Sequence, residues 1–311
     1  MRASLADDGD AMNIRETQKK LLDAVSQYRS LMICIQGSPD PDVIASSYAL
    51  KLLCEKVGVK AEIFASSEPS LPQNRAIVEQ LDIPITYASP AGIVQRFNAY
   101  AVLDFQSAFV KGVTGTIECA VHIDHHEPVK ESVRPAFKLA LENFNSVSSA
   151  MALFIRESEF SQDDTLIRKV ATALVYGIQT DTDGYQHASN LDFEALSFIS
   201  PYSDSQVLDR ITGLPMSGAV ARLLEKAMQN RVRYRDWAIA GMGFIDESVR
   251  DAIAIIADFL LREENVEVSI VYAAIEKNHG KGMVLDASFR AKKEDLDLNY
   301  VIKSITSEGG A

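Results

Sequence analysis

Cysteine is scarce: Cys34, Cys54 and Cys119 are the three in 311 residues, each inside an apolar stretch and none in a C-x-x-C spacing. That excludes a disulfide framework and a thiolate zinc cluster, and reads as reduced core thiols of a cytoplasmic protein. Histidine numbers five and tryptophan one. No apolar run approaches the roughly 20 residues of a membrane span, so no membrane partner is expected. Positive charge is in deficit, with 31 Lys+Arg against 43 Asp+Glu and a formal net charge of −12. A protein that coats long nucleic acid needs a basic field, so that class is set aside. A small phosphate substrate is not, because bound divalent cations reverse the local sign. What remains is ordinary globular composition, 47% apolar and 24% charged. The polar stretch before Met12 lacks a signal-peptide core and reads as a leader.

The first half alternates helical and apolar-strand patterns. Helices are expected at 13–28, at 42–58 with Asp42 as N-cap and Gly58 as C-cap, around "SVSSAMALFIRES", and at 165–178. Strands are expected at 30–36, 60–66, 99–105 and 119–124. Such alternation predicts an α/β fold, a doubly wound parallel sheet with helices on both faces. This domain is placed at 13–186. A broken helical connector follows at 187–230, whose surface offers a homodimer contact. A smaller α/β domain, rich in β-formers, spans 231–311.

Three of the five histidines fall in one heptapeptide, "HIDHHEP", at 122–128. His122 lies in an apolar strand that ends at Asp124, with His125 and His126 next. Two other strands also end in acids: "QGSPDPD" supplies Asp40 and Asp42, and "VLDF" supplies Asp104. In an open parallel sheet, ligands bind beyond the carboxyl ends of the strands. A fourth segment, "GIQTDTDG", offers Asp181 and Asp183 after a helix. Pro39 and Pro41 stiffen the first loop and set its two carboxylates before the helix begins. Taken singly, "DPD" reads equally as a solvated capping turn, Asp181 as a helix-end acid, and His122 as a strand histidine satisfied within the sheet. Taken together, four distant segments converge acids and imidazoles, and that crowding is costly unless cations sit among them. Oxygen-rich sets with one or two imidazoles suit Mn²⁺ or Mg²⁺ better than a closed zinc site.

In order and content, "SPDPD", "LDF", "IDHHEP" and "TDTDG" resemble motifs I to IV of the DHH phosphoesterase superfamily. "SFR" followed by a Gly-rich end resembles the small DHH-associated C-terminal domain, so the resemblance covers essentially the whole chain. The family includes RecJ-type exonucleases, oligoribonuclease/pAp phosphatases, cyclic-dinucleotide phosphodiesterases and class II pyrophosphatases. The resemblance implies two Mn²⁺ ions, with Mg²⁺ or Co²⁺ as substitutes, and in-line attack by a metal-bound hydroxide. It implies that Asp104 and Asp181 bridge the metals, that Asp40 completes the first site, and that Asp42 and His125 complete the second. His126 is then the residue facing the substrate phosphate, oriented with its neighbour by Asp124. The departure is Gln36, where motif I usually has a histidine ligand; a neutral amide is a poorer ligand, so the first metal is expected to bind weakly, or else with water in place of the side chain, or else catalysis is impaired and the protein senses rather than cleaves.

Substrate contacts are expected at the helix start "FNSVSSA", where Ser148 and Ser149 beside Asn145 suit a phosphate, although plain N-capping explains the serines as well. Ser288 and Arg290, two apart on a strand, share one face, and an arginine fork grips a phosphate bidentately. By the resemblance a Gly-rich loop that closes on the substrate begins at "SEGGA"; the expectation is either that the natural chain continues it or that the loop is absent. The resulting expectation is a hydrolase, a two-metal phosphodiesterase for a cyclic or linear dinucleotide or short oligonucleotide (nanoRNA), not long duplex nucleic acid. Its rivals are a pAp phosphatase or pyrophosphatase and, from another class, a non-catalytic nucleotide sensor with a degenerate metal site.

Overall fold

The computed structural model describes residues 12–126, 129, 132–158, 165–276, 282–292, 296 and 298–305. The chain forms two compact units, Met1–Leu214 and Pro215–Ala311.

In the first unit, β1 (Ser30–Ile35), β2 (Lys60–Ala65), β3 (Ile85–Tyr87), β4 (Ala99–Leu103), β5 (Glu118–Asp124) and β6 (Phe137–Ala140) form one sheet in the order β3-β2-β1-β4-β5-β6. Every pairing is parallel. All of β4 and most of β1 are buried, as expected of strands covered on both faces. The helices are α1 (Ile14–Val25), α2 (Pro41–Lys56), α3 (Pro72–Gln80), α4 (Val147–Arg156), α5 (Thr165–Asp181), α6 (Asn190–Ile199) and α7 (Ser205–Thr212). The doubly wound α/β architecture expected from the alternation is therefore present. Its strand order reverses between β1 and β4, and such a reversal opens a crevice at the carboxyl ends of those strands.

Two helix ends differ from expectation. Asp40, not Asp42, caps α2: its Oδ1 accepts the Val43 amide at 2.9 Å. Pro41 then takes the first helical position, where its missing N–H costs nothing, and Asp42 is pushed to the second. At the other end Val57 is the C-cap and Gly58 follows it at φ 80°. α2 is buried around nearly its whole circumference, as its apolar composition on every face requires. α5 runs on to Asp181, three residues past the expected end.

The second unit comprises α8 (Gly218–Asn230), β7 (Val232–Tyr234), β8 (Trp237–Ile245), α9 (Ala252–Leu261), β9 (Val268–Glu276), β10 (Met283–Ala291) and α10 (Leu298–Ile305). Its sheet has the order β10-β9-β8-β7, with β8 and β9 parallel and the other pairs antiparallel. Ala227, Met242, Ile256, Leu260 and Val271 lie in its core. The segment read as a connector is divided. Ala195 and Ile199 of α6 and Val207 and Ile211 of α7 join the first core, whereas Ala227 of α8 joins the second. Among the described residues no helix is long and apolar enough to cross a membrane. The "SEGGA" end lies outside the described residues.

Candidate metal centre

Each acid arrives by a different local device. Asp104 directly follows β4 at φ 51°, a left-handed conformation that Asp tolerates better than most side chains. Its amide still donates to the Ile123 carbonyl at 2.9 Å, so the residue stays fastened to β5 while its carboxyl turns to the crevice. Asp181 is the last residue of α5, where the helix dipole disfavours negative charge. α5 comes close because Gly177, one turn earlier, has no side chain: a Cβ there would lie 2.4 Å from Ser148 Oγ and 3.1 Å from the Pro41 carbonyl oxygen.

Asp42 is 1% exposed. Its Oδ2 accepts the Val147 amide and its Oδ1 the Ser148 amide, both at 2.7 Å. The free amides at the start of α4, the expected phosphate site, thus hold an internal carboxylate instead. This corrects the expectation for Ser148 and Ser149. Both are fully buried, and the Ser149 amide and hydroxyl are taken by Ser146 Oγ. Asn145 is likewise engaged: its amide donates to Asp192 at 3.2 Å, and its side chain to the His187 carbonyl.

His125 Nε2 stands 3.3 Å from Asp104 Oδ1 and 3.2 Å from Asp181 Oδ2. Neither contact has the geometry of a hydrogen bond, and both Nε2 and Asp104 Oδ1 are buried without a partner. Ligand atoms of Asp42, His125 and Asp181 lie within 4.8 Å of one another, and so do those of Asp104, His125 and His126. Converging acceptors that do not bond each other are the arrangement a cation fits, because each lone pair is then aimed at a common point. The donor set of oxygens plus imidazole matches Mn²⁺ or Mg²⁺.

The electrostatics agree. Burial and then the charge of Asp104 push Asp42 up to about 7. Burial followed by the charges of Asp42, Asp104 and Asp40 pushes Asp181 up to about 9. Without a counter-ion these groups resist ionisation together. Asp40 belongs to neither cluster. Although the residue is open to solvent, the protein packed around it, and then the charge of Asp104, push its carboxyl upward. Burial pulls His125 down, but the Asp104 carboxylate beside it and the charge of Asp42 leave it raised.

His126 is held differently. Its Nδ1 lies 2.7 Å from Asp124 Oδ1, and its side chain is 42% exposed. That bond raises His126 and, against the effect of burial, holds Asp124 below the usual carboxylate range. With Nδ1 occupied, Nε2 is the nitrogen left for an incoming group.

Gln36 donates from Nε2 to the Ser107 carbonyl at 3.0 Å, which leaves only Oε1 as a donor to a metal. His122 Nε2 bonds the Phe105 carbonyl, beyond the end of β4, at 2.8 Å, whereas its Nδ1 is buried without a partner, so the sheet does not satisfy this histidine. Asp183 is an exposed turn residue at φ 47° and joins neither cluster. In the second unit Ser288 and Arg290 share the face of β10 that carries α9. There Arg290 Nε is bonded to Asp258 Oδ1 at 2.6 Å and Nη1 to the Phe289 carbonyl at 3.0 Å, so much of the fork expected to grip phosphate is engaged internally. Gly177 and the buried Asp192 were not expected. A glycine inside an otherwise apolar helix, and the Ser189-x-x-Asp192 capping box, were the signals for them.

No family model matches the chain. In sequence it is 29% identical, over 282 residues and 90% of its length, to an uncharacterized protein of Methanocaldococcus jannaschii, and it spans 56% of that protein's length. Its fold is similar to that of an exopolyphosphatase-related protein from Bacteroides fragilis. That structure matches with a TM-score of 0.67 and 16% identity, over 89% of this chain and 83% of that one.

Proposed function

We propose that the chain is a metal-dependent phosphoesterase, and within that class a phosphodiesterase acting on a small nucleotide, with Mn²⁺ as the working ion. The observation that carries the reading is the pair of buried, unpartnered atoms Asp104 Oδ1 and His125 Nε2, set among acids raised first by burial and then by one another's charge. Asp42, His125 and Asp181 would hold one cation. Asp104 and Asp181 would be shared with a second, whose shell Asp40 completes, with Gln36 Oε1 as a weak neutral donor. When bound, such cations supply Lewis acidity toward a phosphoryl group and its nucleophile.

The chain's own residues do the rest. The α4 amides fix Asp42 in one orientation. Asp124 fixes the His126 ring, whose Nε2 carries a proton toward a phosphoryl or leaving oxygen. The Bacteroides fragilis neighbour is named as related to an exopolyphosphatase, which supports phosphoryl chemistry, on a phosphoanhydride in that protein's case. A net charge of −12 favours a short substrate over a long backbone. The test is incubation with Mn²⁺ and a panel of cyclic and linear dinucleotides, short RNA, pAp and pyrophosphate, with products read by chromatography. Dinucleotide cleavage that disappears in Asp104→Asn supports the proposal. Turnover of pyrophosphate alone supports the pyrophosphatase alternative, and binding without turnover supports the sensor.

A further inference from the structure

The three residues after Asp104 are fastened at two backbone carbonyls. His122, 3% exposed on β5, bonds the Phe105 carbonyl at 2.8 Å. Gln36, which continues β1, bonds the Ser107 carbonyl at 3.0 Å. These side chains come from the two strands that flank β4, so the loop is clamped from both sides of the strand-order reversal. The Phe105 ring lies beside the β1 loop: a Cβ added at Gly37, itself at φ 72°, would stand 3.7 Å from Phe105 Cε2. The ring is nonetheless 37% exposed.

The clamps engage carbonyls, and any residue at 105 would offer the same carbonyl. They account for the rigidity of the loop and leave its side chain free to vary. Exposed apolar side chains recur on this chain, Phe109 at 50% among them, so what singles out Phe105 is its place directly after a carboxylate of the metal centre. A ring carried on a backbone that is already held loses less freedom when a planar group packs on it, and sequence-tolerant recognition of nucleobases works by such stacking.

We infer that Phe105 is a stacking platform for a nucleobase carried next to the scissile phosphate, and that it determines specificity for nucleotides over ring-free phosphates. This rests on the phosphoesterase reading above and names its substrate class. The experiment compares wild type, Phe105→Leu and Phe105→Tyr with Mn²⁺ on a linear dinucleotide and on the same dinucleotide lacking either base. Wild type is expected to prefer the complete substrate to one of the abasic forms by roughly tenfold in kcat/KM, through KM. Leucine should close that gap and tyrosine should restore it. Equal losses on complete and abasic substrates in Phe105→Leu, or no wild-type preference, overturn the inference while leaving the phosphoesterase reading intact. If no substrate is cleaved, that reading fails. Calorimetry of adenosine 5′-monophosphate against ribose 5-phosphate, with Mn²⁺, then decides the stacking question alone, and equal affinities overturn it.

Discussion

Removing the cation should make this protein less stable as pH rises, the reverse of the behaviour expected where carboxylates are well paired. The magnitude follows from Asp42, which is 1% exposed and moves from an ordinary value of 3.8 to about 7. A rise of that size corresponds to roughly 4 kcal/mol, since each pKa unit is worth about 1.4 kcal/mol. Asp181 shares the same repulsion, so its rise to about 9 overlaps this penalty and is not added to it. Both groups hold protons more tightly folded than unfolded. The folded state therefore carries the excess protons above the unfolded carboxylate range, and stability falls as pH climbs through the folded values. Only the part of that loss above pH 5 falls between pH 5 and pH 8, roughly 3 kcal/mol, which for a unit of about 200 residues is about 8 °C in Tm. The assay is thermal unfolding at pH 5 and pH 8, with chelator and with Mn²⁺. The chelated protein should melt about 8 °C lower at pH 8, and the gain from Mn²⁺ should be larger there. Asp181→Asn should flatten the chelated profile. A chelated protein that gains stability between pH 5 and pH 8, or an Mn²⁺ gain equal at both, would refute the reasoning.

Other outcomes follow from single contacts. Gly177→Ala sets a methyl 2.4 Å from Ser148 Oγ, and should cost about 1–3 kcal/mol in urea unfolding while weakening Mn²⁺ binding in calorimetry. Asp124→Asn removes the carboxylate that orients His126, and should lower kcat by about 10–100-fold with an unchanged circular dichroism spectrum. Gln36→His should shift the Mn²⁺ activation curve to lower concentration, and an unmoved curve would remove the amide from the first metal's shell.

Much of the arrangement could be read from the chain because its signals are local. The apolar runs "SLMICI" and "AYAVL", each followed by acids, announce buried parallel strands whose ends meet at one crevice. "DHH" at the end of a third strand completes that pattern. The remainder depends on contacts between distant segments. Nothing local tells that Asp42 will occupy the amides of α4, 105 and 106 residues away, and so take the place of the expected phosphate. Period two correctly paired Ser288 with Arg290, but it cannot say which face of β10 is covered by α9. The helical pattern at 187–230 gives no sign that its first helices would be drawn into one core and its last into another, because a helix shows an apolar stripe without naming its partner. Phe105 is an ordinary strand-end aromatic until His122 and Gln36 are seen to hold its own carbonyl and the one two residues on.

The most direct measurement is anomalous scattering from a crystal grown or soaked with Mn²⁺. A cation-gathering cluster predicts a peak touching Asp42, His125 and Asp181, with Asp104 on the same feature or on a second one beside it. A crystal with no anomalous density there, and His125 donating a well-formed hydrogen bond to either carboxylate, would contradict it.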